Sequence, residues 1–142
     1  MSGPYGHGQL PALGLMCSMK IKDLNHVALL VADLDASCHF YGTILGLSTK
    51  ARPAFDFPGA WFALGPVSEL HLIAGREAGV ASHSRGSHIA FEVEGVEAAR
   101  AQLEAAGVDF VGPKARPDGA QQIFVVDPDG YYVELSDLSG LA

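Results

Sequence analysis

The sequence is poor in basic residues and in cysteine. Its 142 residues contain 9 Lys and Arg against 16 Asp and Glu, whereas a nucleic-acid-binding surface needs clustered positive charge. Cys17 and Cys38 are too few for a disulfide framework, and we expect two reduced thiols in a cytoplasmic protein. No apolar run approaches the roughly 18 residues of a membrane span, and the N-terminus does not resemble a secretory signal. These shortages argue against nucleic-acid and membrane partners.

Two apolar stretches each carry a histidine near their start, and the chain around them repeats. Residues 24–31 read Leu-Asn-His-Val-Ala-Leu-Leu-Val, and residues 87–93 read Ser-His-Ile-Ala-Phe-Glu-Val. Each stretch is followed by a helical pattern that ends at a glycine. Gly46 lies 20 positions after His26, and Gly107 lies 19 positions after His88. We interpret the chain as two copies of a unit of about 62 residues.

Candidate metal ligands follow the same repeat. His71 lies 45 positions after His26, and Glu134 lies 46 positions after His88, each between aliphatic residues. Side chains alternate along a strand, so the flanking aliphatic residues would face a helix and leave His71 and Glu134 on the open face. Imidazoles and a carboxylate suit Zn, Ni, Co, Mn or Fe. We predict that these four side chains converge on one divalent-metal site, where Glu134 or a bound hydroxide acts as the catalytic base.

Several single residues keep more than one interpretation. A lone strand histidine is more often a structural hydrogen-bonding group than a ligand, so the prediction depends on the repeated spacing. Glu69 shares the predicted open face with His71; we expect it to bind substrate at the rim, or to replace His71 as the ligand. Trp61 is either part of the core or a substrate-binding wall of the cleft. Three arginines are expected to be surface charges, any of which could bind a substrate carboxylate: Arg76, Arg85 and Arg116.

The hydrophobic pattern predicts a β-α-β-β-β order in each half. Asp33 can cap a helix that ends at Gly46, and a second helix is predicted over 96–106. The predicted strands cover 24–31, 47–55, 60–64, 68–73, 87–93, 108–111, 121–126 and 131–136, with Pro53 at an edge or bulge. We expect a mobile extension over 1–20, then one domain over 21–137 made of module one (21–75) and module two (86–137), and a tail over 138–142.

These motifs resemble those of the vicinal oxygen chelate superfamily, the glyoxalase, bleomycin-resistance and extradiol-dioxygenase group. Its first module is similar to His-Val-Ala-Leu-Leu-Val at 26–31, Asp-Leu-Asp-Ala-Ser-Cys-His-Phe-Tyr at 33–41 and Leu-Gly-Leu at 45–47. Its second module is similar to Ser-His-Ile-Ala-Phe at 87–91 and Asp-Pro-Asp-Gly-Tyr-Tyr-Val-Glu-Leu at 127–135. The resemblance covers about residues 22–137. It implies an α+β fold in which two βαβββ modules form a curved mixed sheet around a cleft. Its ligand positions fall on His26, His71, His88 and Glu134.

The same resemblance implies a function and a partner. We expect a metalloenzyme of the glyoxalase or dioxygenase type whose small substrate chelates a divalent metal through adjacent oxygens. The alternative is a binding or resistance protein that sequesters a small molecule without turnover. Metal-dependent glyoxalase I usually has a carboxylate or amide at the position that His71 occupies here. The histidine is therefore a departure from a strict glyoxalase I pattern. Superfamily clefts are often completed by two chains, so we also expect a homodimer with sites at the subunit interface.

Overall fold

The computed structural model describes residues 18–141, which form two four-stranded mixed sheets and two helices. The first sheet contains β1 (His26–Val31), β4 (Ser68–Ala74), β3 (Gly59–Leu64) and β2 (Thr49–Lys50), in that spatial order. The second contains β5 (Ile89–Glu92), β8 (Tyr132–Asp137), β7 (Gln121–Val126) and β6 (Phe110–Ala115). Helix α1 is Leu34–Cys38 and helix α2 is Val96–Ala106. The predicted α+β class and βαβββ order are confirmed. Within the described residues, no helix is long and apolar enough to span a membrane.

The two sheets share one pairing pattern and one register. In each sheet the first and last strands of the module pair in parallel, and the other neighbours are antiparallel. Ala28 of β1 lies opposite His71 of β4, and Ala90 of β5 lies opposite Glu134 of β8. Each of these alanines lies two positions after a histidine of the repeat. The internal repeat inferred from spacing therefore has a structural counterpart in the strand pairing.

One face of each sheet is buried against helical structure. Leu70, Leu72 and Val133 are fully buried, and Leu135 is 5% exposed. A fully buried aliphatic side chain contributes roughly 1.5–3 kcal/mol, so these alternating residues fix which face turns inward. His71 and Glu134 lie between these residues, so each points to the face of its sheet that is turned away from the helices, as the alternation predicts.

The first helix begins as predicted but changes its winding. The Asp33 carboxylate accepts a hydrogen bond from the Ala36 N–H at 3.1 Å, and Gly46 ends the segment with a φ of +78°. Residues His39–Ile44 form a π-helix, in which the Leu45 N–H donates to the Phe40 carbonyl at 2.9 Å. This i→i+5 winding is rare and has no clear sequence signature, so the pattern predicted one uninterrupted helix.

The strand predicted over 47–55 is wrong beyond residue 50. After Thr49–Lys50 the chain leaves the sheet as a loop, in which the Arg52 guanidinium donates to the Phe57 carbonyl at 2.8 Å. Pro53 has no N–H to donate to a ladder, and it lies in this loop and not in a strand. The other predicted elements differ from the observed bounds by a few residues at their ends. Most of the extension predicted over 1–20, and Ala142 of the predicted tail, lie outside the described residues.

The Asp127-Pro-Asp-Gly turn of module two contacts module one. The Tyr41 hydroxyl donates to Asp127 at 2.6 Å, and both groups are buried. Asp127 also accepts the backbone N–H groups of Asp129 and Tyr131, each at 2.9 Å. Burial raises the pKa of the Asp127 carboxyl, and the hydrogen bond from Tyr41 opposes that rise. Burial also raises the pKa of Tyr41. Tyr41 is therefore a core residue that links the modules.

Asp129 makes the second connection between the modules. Its carboxylate accepts from the Ala32 N–H at 2.8 Å, the Ser37 hydroxyl at 3.2 Å and Arg76 Nε at 2.7 Å. The Asp129 side chain is only 2% exposed and that of Arg76 is 20% exposed. The expectation that Arg76 is a surface charge is therefore wrong, because its partner comes from the other module.

Replacing Gly107 by Ala is expected to lower the free energy of unfolding by about 1 kcal/mol, because Gly107 ends α2 in the left-handed region with a φ of +68°. Open space surrounds the position where a methyl group would be, so the cost comes from the backbone alone. Urea unfolding measures the change. Gly79→Ala is the control, since Gly79 also faces open space and lacks a positive φ. Equal midpoints for the two variants would contradict the prediction.

Candidate metal centre

The first pair of candidate ligands lies on neighbouring strands of module one. The rings of His26 on β1 and His71 on β4 are stacked, with centroids 4.2 Å apart and planes 15° apart. Trp61 on β3 stacks on the other face of His71 at 3.9 Å, with planes 2° apart. His71 is 9% exposed and is held between two rings. Trp61 is thus a wall of the open face, and its role in binding substrate remains a prediction.

Glu69 fixes the orientation of His71. Its Oε2 lies 2.8 Å from His71 Nε2, and its other oxygen pairs with the Lys50 ammonium. The hydrogen bond with His71, followed by that with Lys50, lowers the pKa of the Glu69 carboxyl. An ionised carboxylate on an imidazole is a common way to set the tautomer and direction of a metal-binding histidine. Substrate binding by Glu69 remains a prediction.

His26 and His88 each have one ring nitrogen engaged by an oxygen. His26 Nδ1 lies 2.7 Å from Asn25 Oδ1, and His88 Nδ1 lies 3.0 Å from the Gly86 carbonyl. A carbonyl oxygen only accepts, so Nδ1 of His88 carries a proton. In the neutral form of the ring, Nε2 is then the nitrogen with the lone pair, which is the ligand form of histidine. Both histidines are therefore oriented for binding through Nε2.

The second pair consists of His88 and Glu134. His88 Nε2 faces Glu134 Oε2 at 3.1 Å, while Glu134 Oε1 accepts from Ser136 Oγ at 2.8 Å and from the Gln122 amide. Burial raises the pKa of Glu134, but the hydrogen bonds from Gln122, Ser136 and His88 outweigh it, and the net pKa lies below its ordinary value. Nε2 donates to Glu134 when the ring carries a second proton. Without that proton, the imidazole nitrogen and the carboxylate oxygen are both groups that a divalent metal binds, so this donor set fits a divalent metal.

The four predicted ligands form two pairs within one chain and not a single cluster. His26 and His71 belong to the first sheet, whereas His88 and Glu134 belong to the second. Among residues 18–141, no group of three or more His, Cys, Asp and Glu side chains is placed to hold a metal ion. The described residues thus place the candidate ligands in two pairs, one on each sheet.

Comparison with known proteins identifies the family of the chain. The model of the Glyoxalase/Bleomycin resistance protein/Dioxygenase superfamily matches residues 23–135. The chain belongs to this superfamily. Glyoxylase I 4 of Arabidopsis thaliana is 31% identical over 131 residues, which cover 87% of this chain and 75% of that protein. Metal binding is typical of the superfamily, and its members bind small-molecule substrates or antibiotics and commonly form dimers.

Two solved superfamily structures show the same fold. A glyoxalase family protein from Bacillus anthracis superposes with a TM-score of 0.75 at 24% identity, covering 85% of this chain and 98% of that one. TnmS3, an antibiotic binding protein from Streptomyces, superposes with a TM-score of 0.68 at 25% identity, covering 84% of this chain and 98% of its own. The superfamily fold is thus shared by proteins whose names denote catalysis and by one whose name denotes binding.

The sequence did not reveal the residues that orient the ligands. Gln122 could have been found from strand alternation, because Phe124 lies opposite Glu134 and Gln122 faces the same side. Asn25 and Lys50 carry no comparable signal.

Beside Gln122, a cavity of about 440 Å³ is lined by Phe124, Tyr132 and basic side chains. A larger cavity of about 710 Å³ lies between the modules; its lining is mostly apolar and includes none of the four ligands.

Proposed function

We propose that the protein is a divalent-metal-dependent enzyme of the glyoxalase or dioxygenase type, acting on a small substrate that presents two adjacent oxygens. The observation that carries the proposal is the contact between His88 Nε2 and the ionised Glu134, with Nδ1 already bonded to a carbonyl. His26, His71, His88 and Glu134 would hold the metal. When bound, the metal supplies Lewis-acid polarisation of the chelated oxygens, which acidifies a neighbouring C–H group.

Glu134 has the arrangement expected of the base that takes this proton. Hydrogen bonds from Gln122 and Ser136 hold its Oε1. Its Oε2, which faces His88 Nε2 at 3.1 Å, would receive the proton from the substrate carbon. The lowered pKa keeps the carboxylate ionised before the substrate arrives. Glu69 acts differently: with Lys50, it holds the His71 ring in place between Trp61 and His26.

The complete site is proposed to form between two copies of the chain. Each chain offers two ligands on the first sheet and two on the second, and the sheet edges at β1 and β5 have no neighbour among the described residues. In a symmetric dimer, His26 and His71 of one copy would meet His88 and Glu134 of the other. Two equivalent four-ligand sites would result, and two free edges would be covered.

Mixing two inactive variants tests the shared site. His26→Ala disables every site that uses the first pair of a chain, and Glu134→Ala disables every site that uses the second pair. In a mixed dimer with shared sites, one site combines both intact halves, so random mixing should restore about one quarter of the activity of the unmodified protein. Activity is measured after the two metal-loaded variants have been unfolded and refolded together.

The controls separate assembly from chemistry. Each variant refolded alone should remain inactive, and light scattering should give twice the 14.9 kDa chain mass for both. Dimers whose mixture stays inactive would show that each site uses a single chain. Monomers would remove the shared site altogether.

The second candidate function is sequestration of a small molecule without turnover. It is favoured by the likeness to TnmS3, named an antibiotic binding protein, and by the exposed aromatic rings beside His71. Elemental analysis of protein purified without a His-tag column distinguishes the two functions, together with assays on hemithioacetals, catechols and epoxides with thiol. A metal-free protein that binds such compounds without converting them would favour sequestration.

A further inference from the structure

An unusual group of exposed aromatic rings follows β2 in module one. The rings of Phe55 and Phe57 are stacked with centroids 5.1 Å apart, and Phe55 lies 6.1 Å from Trp61. Phe55 is 45% exposed and Phe57 is 39% exposed. We call Phe55, Phe57 and Trp61 the aromatic platform. Large aromatic surface left in contact with water is unfavourable, so such a group indicates a surface that binds something.

Arg52 fixes the shape of this platform. Its guanidinium carbon lies 4.8 Å from the centroid of each phenylalanine ring, and the same group donates to the Phe57 carbonyl at 2.8 Å. The Phe55 N–H donates to the Pro53 carbonyl at 2.8 Å, which tightens the turn. Cation–π contacts and a backbone hydrogen bond thus hold two exposed rings in place before any ligand arrives.

The platform is continuous with the candidate metal centre. Trp61 contacts Phe55 at one end and stacks on His71 at 3.9 Å, and His71 in turn stacks on His26. A row of five rings therefore runs from the loop surface to the first pair of ligands. A group that lies on Phe55 and Trp61 is close to whatever binds at His71.

We propose that the aromatic platform binds a planar aromatic ring of the ligand, attached beside the oxygens that reach the metal. This inference rests on the proposed function for the chelating oxygens, but the ring-binding surface exists without the metal. Stacked and edge-to-face ring pairs are more favourable than contact with an aliphatic group of equal area. The platform therefore favours aryl over alkyl and saturated-ring ligands, which narrows the substrate class to aromatic chelators.

Matched probe pairs test the preference. Benzohydroxamate and cyclohexanehydroxamate carry the same two chelating oxygens and differ in ring planarity; they are titrated into the Ni-loaded protein. Benzamide and cyclohexanecarboxamide are titrated into the metal-free protein. Trp61 is the sole tryptophan, so the shift of its indole N–H signal in NMR spectra reports the platform directly. We expect the aromatic member of each pair to bind about three- to tenfold tighter.

Variants locate the preference on the platform. Phe55→Leu and Phe57→Leu keep apolar volume but remove the ring, and should bring the affinity ratio close to one. Phe91→Leu makes the same change in the inter-module cavity and should leave the ratio unchanged. In the unmodified protein, nuclear Overhauser contacts should connect benzamide protons with Phe55 and Trp61 rings, a result that does not depend on any variant folding.

Two outcomes would overturn the inference. One is equal affinity within the metal-free pair, without Overhauser contacts to Phe55 or Trp61. The other is an unchanged ratio in the leucine variants together with a lower association state, which would assign the rings to a subunit contact. Failure of the proposed function would give a different result: no metal binds, and both hydroxamates bind as weakly as the amides. The amide pair would still show whether the platform prefers an aromatic ring.

Discussion

Replacing Glu134 by Gln is expected to lower metal-dependent turnover by about 10²- to 10⁴-fold, the usual contribution of a positioned acid or base. Gln keeps the size of the side chain but cannot accept a proton, and its amide replaces the charged oxygen that faces His88 Nε2. The hydrogen bonds from Gln122 and Ser136 would then meet a neutral group. Turnover is measured with the Ni- or Zn-loaded protein, and metal affinity by competition with a chelator.

Glu104→Gln is the matched control for this variant. Glu104 is an exposed carboxylate on α2 that pairs with Arg100, so the same chemical change should leave both turnover and metal affinity unaltered. An active Glu134→Gln protein with normal metal affinity would remove Glu134 from the site. Another group would then have to act as the base.

Replacing Asp129 by Asn is expected to lower the free energy of unfolding by about 2–4 kcal/mol, because it leaves Arg76 without its anionic partner. The carboxylate also accepts the Ala32 N–H and the Ser37 hydroxyl, and an amide of the same shape can accept only some of these donors. The loss should therefore exceed that of an ordinary hydrogen bond. Urea unfolding monitored by circular dichroism measures it.

Asp118→Asn supplies the comparison for Asp129→Asn. Asp118 pairs with Arg116 on the surface, where solvent weakens the attraction, so the unfolding midpoint should change little. If the two variants were equally stable, the buried contact between modules would contribute no more than a surface pair. The two halves would then have to be held together by the Tyr41–Asp127 hydrogen bond and by apolar contacts.

The internal repeat is the basis of most of the predictions about strands, helices and candidate ligands that the sequence allowed. Alternation of aliphatic and polar residues around His71 and Glu134 predicted that both face away from the helix. The strand register agrees for His71, which lies opposite Trp61 and stacks on its ring. The hydrophobic spacing also predicted α2 and the glycines that end both helical segments, because helices and strands have characteristic periodicities in a sequence. The superfamily and the fold followed from the same residues.

Contacts between distant parts of the chain could not be predicted in this way. Arg76 was expected at the surface because nothing local reveals that Asp129 lies beside it. The strand predicted over 47–55 extends too far, because residues 51–55 belong to a loop whose shape depends on contacts of Arg52 with Phe55 and Phe57. The π-helix at His39–Ile44 depends on how Phe40 and Tyr41 both pack inward, which is a property of the folded core.

The separation of Asp129 from its partners also bears on how the chain folds during synthesis. The carboxylate lies 97 positions after the Ala32 N–H that it accepts, and 53 positions after Arg76. A ribosome releases module one first, and the Asp129 carboxylate can reach Ala32 and Arg76 only after the Asp127–Gly130 turn has emerged. Contacts between residues this far apart in sequence form late, after the loop entropy has been overcome. The contact that Asp129 makes between the two halves is therefore a late step in acquiring the native structure.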